Sequence, residues 1–591
     1  MKLSNTRLLA FLAILFISTS IVSAQVTSTA AKVGPNRAAS PAKTTDAKKV
    51  TVEAVQSDFK EALSVIEGNY VGGKKLDYNE VAKSSIDSML HTLDPHSNYF
   101  DAKEFEQFMT DQSSKYFGIG ATIGDLSDAD GKVLSTYIKA TFDGAPANKA
   151  GLRYGDKIVS FTGQRVMPDG KIVEVKDVSM LGRPFSEVRS YLRGPEGTTI
   201  HLTVQHLATG KQETVDIVRA GVPQPSISEV YMIRPSVGYM AMRGGFNQTT
   251  SGEFIKGLRD LKAAGMQQLV IDLRDNPGGL VFEAVKVANT FLSSGQRIVT
   301  QKGRVTGTNE IYDAQNRSPD RSPIVMLVNR GTASASEIFA GSMQDHDRAL
   351  IVGETTFGKG LVTYPFRLDY GSMLLLTIAK YETPSGRQVQ RDYSNGDIYS
   401  YLYEGGSLRD DNVETVKLKG PESKTDIGRT VYSGGGINPD VTIKPKTIPI
   451  ERARFQQKLA NPVFAFALDL VAGRADGFGA YKVEKPIAFE YDIKTSDFPI
   501  DERLFQAFKK FAGEGYKFTP AQVDREREFV ERTLRSELVT AAYGSQTSFQ
   551  VFNEYDDQLL KAIELLPQAK QLATQGEKAR MTASKPTAVE N

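Results

Sequence analysis

Hydrophobic and polar positions follow four different patterns along the chain. Residues 48–113 carry apolar side chains at the three- and four-residue spacing of amphipathic helices. Residues 114–222 contain short apolar runs separated by turns rich in Gly, Asp and Pro, which is typical of β-strands. In residues 223–450 strand-like runs alternate with helical stretches, and residues 451–591 are again mainly helical before a polar tail. This order predicts a multidomain α+β protein in which a β-rich domain precedes an α/β core and helical regions flank both.

The N-terminus has the pattern of an export signal followed by a tether. Lys2 and Arg7 precede an apolar run that ends in the small residues Val22–Ala24, so residues 1–24 are predicted to be a signal peptide. Residues 25–47 have almost no large apolar side chains and are predicted to form a disordered linker. A membrane anchor is the alternative, but the apolar run is short for a span. We expect an exported protein, periplasmic or secreted, with no integral membrane span after signal cleavage.

Composition excludes several classes of chemistry. The chain has 591 residues, 72 Lys and Arg against 70 Asp and Glu, 5 His and no Cys. A formal charge of +2 is too small for a nucleic-acid-binding surface, so no nucleic-acid partner is expected. Without cysteine there is no thiolate nucleophile, and the few histidines show no H-E-x-x-H pattern. We expect no metal and no cofactor, and an enzyme built this way must rely on hydroxyls, carboxylates, lysines and backbone amides.

Three glycine-rich loops of the α/β region each follow a short apolar run. They lie at residues 274–279, 331–337 and 353–360, and the first two precede helical stretches. Strand, loop, helix and strand form a βαβ unit, whose crossover makes successive strands parallel. The three loops are therefore expected at the carboxyl edge of one sheet, where open α/β folds place their ligand sites.

Ser334 and Lys359 are the candidate nucleophile and base within these loops. Ser334 lies at a strand-to-helix turn, and a lysine buried in a site can have its pKa lowered to about 7–8, which suits a general base. The backbone amides of Ala335, Gly278 and Gly279 are candidate donors to an oxyanion. A nucleophile, a base and an oxyanion hole are the minimum set for acyl transfer.

The same residues also have a structural interpretation. Ser334 and Glu337 match the S-x-x-E capping box, in which both side chains satisfy amides at the start of a helix. Thr332 and Ser336 compete with Ser334 as cap or nucleophile. Each motif is weak alone, and the joint placement of the three loops is the stronger argument for catalysis.

Several motifs between about residues 55 and 445 resemble those of the C-terminal processing peptidases, also called tail-specific proteases. The resemblance implies a crotonase/ClpP-like core and a Ser–Lys dyad, with Ser334 as nucleophile and Lys359 as general base. It also implies an oxyanion hole formed by the amides of Ala335, Gly278 and Gly279. The motifs are L-D-P-H-S at 93–97, D-L-R-x-N-P-G-G at 272–279, S-A-S-E-I at 334–338, Q-D-x-x-R-A at 344–349, T-F-G-K-G at 356–360, T-P-S-G-R at 383–387 and G-G-G-I-x-P-D at 434–440.

The third catalytic residue is an open question at this point. The family often carries Gln four residues after the lysine, where this chain has Thr363, whose hydroxyl reaches less far. Thr363 and Glu337 are both possible third residues, and Glu337 has helix capping as its alternative role. His346 is expected at the far end of the helix from Ser334, which argues against a Ser-His-Asp triad. His96 is expected to be structural.

The region 114–222 resembles a PDZ domain. Gly118, Ile119, Gly120 and Ala121 take the place of the loop that binds a peptide's terminal carboxylate through backbone amides, while the peptide adds a strand to the sheet. A β domain without a ligand is the alternative. The segment 167–181 is longer than a compact PDZ domain requires.

The sequence thus predicts an exported serine endopeptidase that recognises C-terminal tails through its PDZ domain and hydrolyses peptide bonds through an acyl-enzyme. Its expected partners are proteins or peptides with exposed C-terminal tails. The alternatives are an inactive PDZ-bearing scaffold and an enoyl-CoA hydratase-like enzyme, which the signal peptide and PDZ domain disfavour. The helical region 451–591 could shield the site, bind an adaptor or mediate homo-oligomerisation.

Overall fold

The computed structural model describes residues 2–4, 50–72, 76–112, 114–167, 171–396, 398–403 and 420–583. The predicted linker lies outside these ranges, as does the predicted signal peptide apart from strand β1, Lys2–Ser4, which pairs antiparallel with Thr447–Pro449. Within the described ranges, no helix is both long enough and apolar enough to span a bilayer.

Amphipathic helices at the N-terminal end lead into a tight turn at residues 94–97. The second helix begins after Asp77, whose side chain accepts N–H groups of the first turn, as an N-cap does. In the turn, Asp94 Oδ1 accepts hydrogen bonds from the N–H groups of His96 at 2.8 Å and Ser97 at 2.9 Å. The elements are α1 Val52–Asn69, α2 Tyr78–His91, β2 Asn98–Phe100 and α3 Ala102–Gln112.

An antiparallel β domain follows. Its elements are β3 Lys115–Gly118, β4 Ala121–Ser127, β5 Val133–Thr141, α4 Pro146–Lys149, β6 Lys157–Val166, β7 Ile172–Ser179, α5 Phe185–Leu192, β8 Thr199–Gln205, β9 Gln212–Val218 and β10 Ala220–Pro223. The main sheet has the order β4-β5-β6-β8-β9, with β7 paired on β6. Ile200, Leu202 and Val204 of β8 are fully buried and alternate with more exposed residues, which is the period of a strand with one core face. Strand β4 is left at the edge.

The α/β core is built on a mostly parallel sheet of order β11-β12-β13-β16-β17-β22, in which β11 is antiparallel to β12. The core elements are β11 Glu229–Arg234, β12 Val237–Ala241, α6 Thr250–Ala263, β13 Gln268–Asp272, α7 Val281–Asn289, β14 Arg297–Gly303, β15 Glu310–Asp313, β16 Ile324–Val328, α8 Ala335–Asp345, β17 Leu350–Gly353, β18 Leu361–Arg367, β19 Met373–Glu382, α9 Ile398–Tyr403, β20 Glu422–Lys424, β21 Thr430–Tyr432, β22 Val441–Thr442 and β23 Thr447–Pro449. Ile271 lies beside Met326, which lies beside Ile351. The predicted parallel arrangement of the three loop-bearing strands is confirmed.

A second, antiparallel sheet interrupts the predicted βαβ order. Strands β14 and β15 lie between α7 and β16 in the chain, and they join β19 and β18 in the order β15-β14-β19-β18, with β2 also paired on β19. Alternating apolar runs predict strands but not which strands pair, so this sheet was missed. It brings the loop after β17 and the turn before β2 to the same place.

The C-terminal region packs on both of the preceding units. Its helices are α10 Ile450–Val471, α11 Glu502–Tyr516, α12 Pro520–Arg525, α13 Arg527–Asn553, α14 Asp557–Glu564 and α15 Leu566–Ala583. Leu559 and Leu566 are buried against one face of the core sheet, where Val270 and Leu327 lie. On α13, Glu537 receives a hydrogen bond from the Tyr154 hydroxyl of the β domain at 2.8 Å. The helical region therefore ties the β domain to the core.

Candidate active site

The loops after β13 and β16 are joined by hydrogen bonds. The Asp275 N–H donates to Asn329 Oδ1 at 2.9 Å, and Asn329 Nδ2 donates back to Asp275 Oδ1 at 3.0 Å. The Thr332 hydroxyl donates to the Leu273 carbonyl oxygen at 2.7 Å. Thr332 therefore has a structural bond of its own, and the two loops form one rigid edge.

Ser334 occupies a strained backbone conformation at the start of α8. Its φ of 55° and ψ of −119° are unusual for a residue with a side chain. Such a strain persists only where neighbours enforce it: the Ser334 N–H donates to Glu337 Oε2 at 2.8 Å, and its carbonyl accepts from the Glu337 N–H at 2.8 Å. A sharp strand-to-helix turn of this kind exposes a serine hydroxyl beside the N-terminal end of a helix, where the helix dipole is positive.

Glu337 links the Ser334 turn to the Lys359 loop. It is fully buried, and the same Oε2 that binds Ser334 accepts from the Lys359 N–H at 2.8 Å. Its other oxygen accepts from the Thr356 hydroxyl at 2.5 Å and the Gly358 N–H at 2.7 Å. The two backbone nitrogens of Ser334 and Lys359 thus lie within two hydrogen-bond lengths of each other. Burial raises the pKa of Glu337 to about 7, against the opposing effect of these hydrogen bonds.

Tyr381 forms a second connection between the same two residues. Its hydroxyl lies 3.1 Å from the Ser334 carbonyl oxygen and 2.8 Å from the Lys359 carbonyl oxygen, so it can donate to either. The Tyr381 ring is buried, and β19 carries it under both loops. The sequence does not single out Tyr381, because a tyrosine in an alternating strand has the same pattern as a core residue.

Lys359 is partly buried beside the turn at residues 94–97. Burial lowers the pKa of its ammonium group, against the charges of Asp94 and Glu337. Burial and the charge of Lys359 also lower the pKa of His96 to about 3, so this imidazole is neutral at ordinary pH. His96 Nε2 lies 2.7 Å from the hydroxyl oxygen of Tyr401. The L-D-P-H-S motif therefore lies near the lysine loop, where the His96 ring is 6.2 Å from that of Phe357.

The predicted oxyanion donors are not equivalent. The Gly278 N–H already donates to Asn276 Oδ1 at 3.0 Å, so it is less available to an oxyanion, and its role as a donor stays a prediction. The N–H groups of Ala335 and Gly279 donate no hydrogen bond to any residue that the structure describes. Gly278 contributes by being small, since a Cβ there would lie 2.7 Å from Ser334 Cβ and 2.8 Å from the Ala335 nitrogen. Its φ of 93° also favours glycine.

Replacing Gly278 by Ala is expected to lower kcat by about 10²-fold, because the new Cβ displaces Ser334 and Ala335 and small displacements at a reacting centre are costly. Gly295→Ala is the matched control: its φ is 86°, and a Cβ there meets nothing within 4 Å. Steady-state rates on one peptide substrate compare the two variants. Equal kcat values would contradict the placement of Gly278 against the site.

The remaining predicted residues are less engaged. Thr363 lies on β18 opposite Thr377, and its side chain makes no hydrogen bond within the part of the chain that the structure describes, so its catalytic role stays a prediction. A side-chain amide from another segment contacts the lysine loop, since Gln390 Oε1 accepts a hydrogen bond from the Gly360 N–H at 2.7 Å. His346 caps the far end of α8 and lies 2.8 Å from Asp426 Oδ2, as expected for a histidine remote from Ser334.

The predicted tail-binding loop lies between β3 and β4. Gly118 ends β3, Ala121 begins β4, and the carbonyls of Ile119 and Gly120 accept from residues 147 and 142 at 2.7 and 3.0 Å. The N–H groups of Ile119 and Gly120 donate no hydrogen bond to another described residue. Two such amides suit a peptide carboxylate, and a peptide strand could add to the edge of β4 up to Ser127, whose main chain is bound by the Asn461 side chain.

No group of three or more His, Asp or Glu side chains is placed to hold a metal ion among the described residues.

Comparison with known proteins identifies the family. The model of peptidase family S41 matches residues 236–400, which contain the turn at 274–279, Ser334 and Lys359. A carboxy-terminal-processing protease of Bartonella bacilliformis is 33% identical over 319 residues, covering 53% of this chain and 68% of that protein. The chain belongs to peptidase family S41.

One curated relative is matched over slightly less than two thirds of its own length. The carboxy-terminal processing protease CtpB of Bacillus subtilis is 32% identical over 336 residues, which cover 56% of this chain and 65% of that protein. Among solved structures, the photosystem II D1 C-terminal processing protease is 26% identical, with 69% of this chain and 97% of that chain covered and a TM-score of 0.33.

Proposed function

We propose that this S41 chain is a serine peptidase in which Ser334 is the nucleophile and Lys359 the general base. The observation that carries the proposal is the pair of shared contacts, since Glu337 and Tyr381 each bond to the main chain of both residues. Structural capping explains the Ser334–Glu337 contact alone, whereas it does not explain why a buried carboxylate also binds the lysine loop.

The reaction follows from the arrangement of these groups. Neutral Lys359 takes the proton of the Ser334 hydroxyl, and Oγ attacks the carbonyl carbon of the scissile peptide bond. The N–H groups of Ala335 and Gly279 stabilise the oxyanion. Protonated Lys359 then gives its proton to the leaving amine, and water, activated by the lysine, releases the acyl group from Ser334.

The rate is expected to rise with pH. Lys359 must be neutral to act as a base, and burial brings its pKa down from the usual value. Below about pH 7 Glu337 becomes protonated, and a protonated carboxyl group accepts hydrogen bonds less well from the N–H and O–H groups around it. The link between the two loops is then weaker. His96, with a pKa of about 3, adds no titration above pH 5. Measurements of kcat/KM from pH 5.5 to 9.5 should show an ascending curve, and a flat or descending curve would contradict lysine as the base.

We further propose that the β domain is a PDZ module that binds the C-terminal tail of a protein substrate. The tail's carboxylate would accept from the amides of Ile119 and Gly120, and its last residues would add antiparallel to β4. The apolar run at the N-terminus supports export to the periplasm or the medium. An adaptor or a second copy binding to the C-terminal region remains part of this proposal.

The test is cleavage of an intrinsically disordered protein that ends in an apolar tail, a charged tail or an amidated apolar tail, with the fragments identified by mass. We expect cleavage of the first substrate at a lower KM than the other two. Binding of all three without any cleavage would favour the inactive scaffold.

A tail-loop variant tests the β domain separately. Gly120→Ala should raise KM for the apolar-tailed substrate about tenfold without lowering kcat, because its Cβ would collide with Ala145 and displace the loop. Gly144→Ala is the matched control, with a φ of 63° and no atom within 4 Å of the added Cβ. An unchanged KM in Gly120→Ala would contradict tail capture by this loop.

A further inference from the structure

The catalytic turn is held from behind by a buried arginine. Arg274 directly precedes the turn, and its side chain is 7% exposed. Its Nε donates to Asp272 Oδ1 at 2.8 Å and its Nη2 to Asp272 Oδ2 at 2.6 Å, a bidentate pair. The next residue, Asp275, has a φ of 61°, so the chain enters a strained conformation immediately after this anchor.

A carboxylate of the C-terminal region completes the anchor. Asp556, at the start of α14, is separated from Arg274 by 282 positions and is 4% exposed. Its Oδ2 lies 2.7 Å from Arg274 Nη2, and its Oδ1 accepts from Nη1 at 3.1 Å. Gln558 Oε1 accepts from the same Nη1 at 3.0 Å. The far side of the guanidinium is therefore bound by residues of the C-terminal region.

Asp272 shares its oxygens between Arg274 and other donors. Asp272 Oδ2 also accepts from the Tyr239 hydroxyl at 2.9 Å and lies 3.9 Å from the Arg243 guanidinium. Arg243 in turn lies 3.3 Å from Glu229 Oε1. In this cluster Asp556 is the carboxylate that faces Arg274 from the C-terminal region, so its loss leaves one edge of the guanidinium without a charged partner.

We propose that Asp556 is a positioning residue for the catalytic turn, acting through Arg274 on the main chain that carries Gly278 and Gly279. The role rests on the peptidase function proposed above. It makes the C-terminal helical region part of the catalytic apparatus and not only a support for the fold.

Asp556→Asn tests the role in the full chain. An asparagine side chain that keeps the oxygen facing Leu559 turns its NH₂ group toward the Arg274 N–H groups, and two donors then oppose each other. We expect kcat to fall about tenfold with KM within twofold of the wild type, since a displaced oxyanion donor acts mainly in the transition state. The rate at which a fluorophosphonate labels Ser334 should fall in parallel.

Asp501→Asn is the matched control. Asp501 caps α11 in the same region, accepting from the Leu504 N–H at 2.8 Å, but it is not bonded to Arg274. Because Asp501 is exposed and asparagine caps a helix about as well as aspartate does, this variant should keep both its thermal stability and its kcat. Arg274→Lys keeps the positive charge but loses the bidentate geometry of the guanidinium, so it should show the same kcat loss as Asp556→Asn. If Asp556→Asn does not fold, the kcat of Arg274→Lys tests the positioning role in its place.

The outcomes separate the two proposals. An inactive wild type would contradict the peptidase function itself. An active wild type with kcat undiminished in Asp556→Asn, or with equal losses in Asp556→Asn and Asp501→Asn, would overturn the positioning role alone.

Discussion

Replacing Ser334 by Ala should abolish peptide hydrolysis, with kcat at least about 10⁴-fold below the wild type, while substrate still binds. The expected size of the effect follows from the chemistry: without Oγ no acyl-enzyme forms, and the amides of Ala335 and Gly279 have no nucleophile to assist. Binding should survive because the β domain lies in a separate sheet. Fluorescence anisotropy of a labelled tail peptide and a gel-based cleavage assay measure the two properties.

Ser342→Ala is the control for this change. Ser342 is also buried on α8, and its hydroxyl donates to the Phe339 carbonyl oxygen at 2.9 Å, away from the Ser334 turn. It should retain full turnover. Residual cleavage by purified Ser334→Ala at more than a hundredth of the wild-type rate would assign the nucleophile elsewhere, with Ser336 and Thr332 as the competing hydroxyls of the same loop.

Lys359→Ala should lower kcat by about 10³-fold, within the range expected when a general base is lost. The backbone N–H of residue 359 still reaches Glu337, so the loop keeps its place and the loss reports the amine. Above about pH 8, where Glu337 is already ionised, the remaining activity should no longer rise with pH, because the amine that titrates there has gone. Added small primary amines should restore part of the rate in proportion to their free-base concentration.

Lys380→Ala separates base loss from a change in surface charge. Lys380 lies on β19 opposite Leu361 and is exposed. Its removal should leave both the rate and the pH profile unchanged. A Lys359→Ala variant whose rate still rises above about pH 8 would show that another group takes the proton.

The candidate site was predictable from the sequence where topology alone determines it. Parallel strands place their following loops at one edge, so the approach of Ser334 and the turn at 274–279 needed no knowledge of side-chain packing. The helical spacing between Ser334 and His346 likewise placed that histidine at the opposite end of α8. Both predictions need only local information, namely the residue spacing of a helix and the parallel strands that a βαβ crossover produces.

The missed features depend on strand pairing between distant segments. His96 reaches the lysine because β2 pairs with β19, which brings Ser97 and Thr377 into contact across 280 positions. Hydrophobic alternation contains no information on that register. The hydrogen bond from the Gly278 N–H to the Asn276 side chain is a further feature that the sequence analysis did not predict, although the turn-forming N-P-G sequence is compatible with it.

The central claim is that Ser334 becomes acylated during turnover, and acid quenching tests it most directly. The full chain is mixed with an excess of the apolar-tailed disordered substrate, quenched within the first turnover and examined by intact and peptide mass. The account predicts an adduct with the mass of the N-terminal substrate fragment on the peptide that contains Ser334, absent from Ser334→Ala. Cleavage without an adduct under rate-limiting deacylation, or an adduct that maps to Thr332 or Ser336, would contradict it.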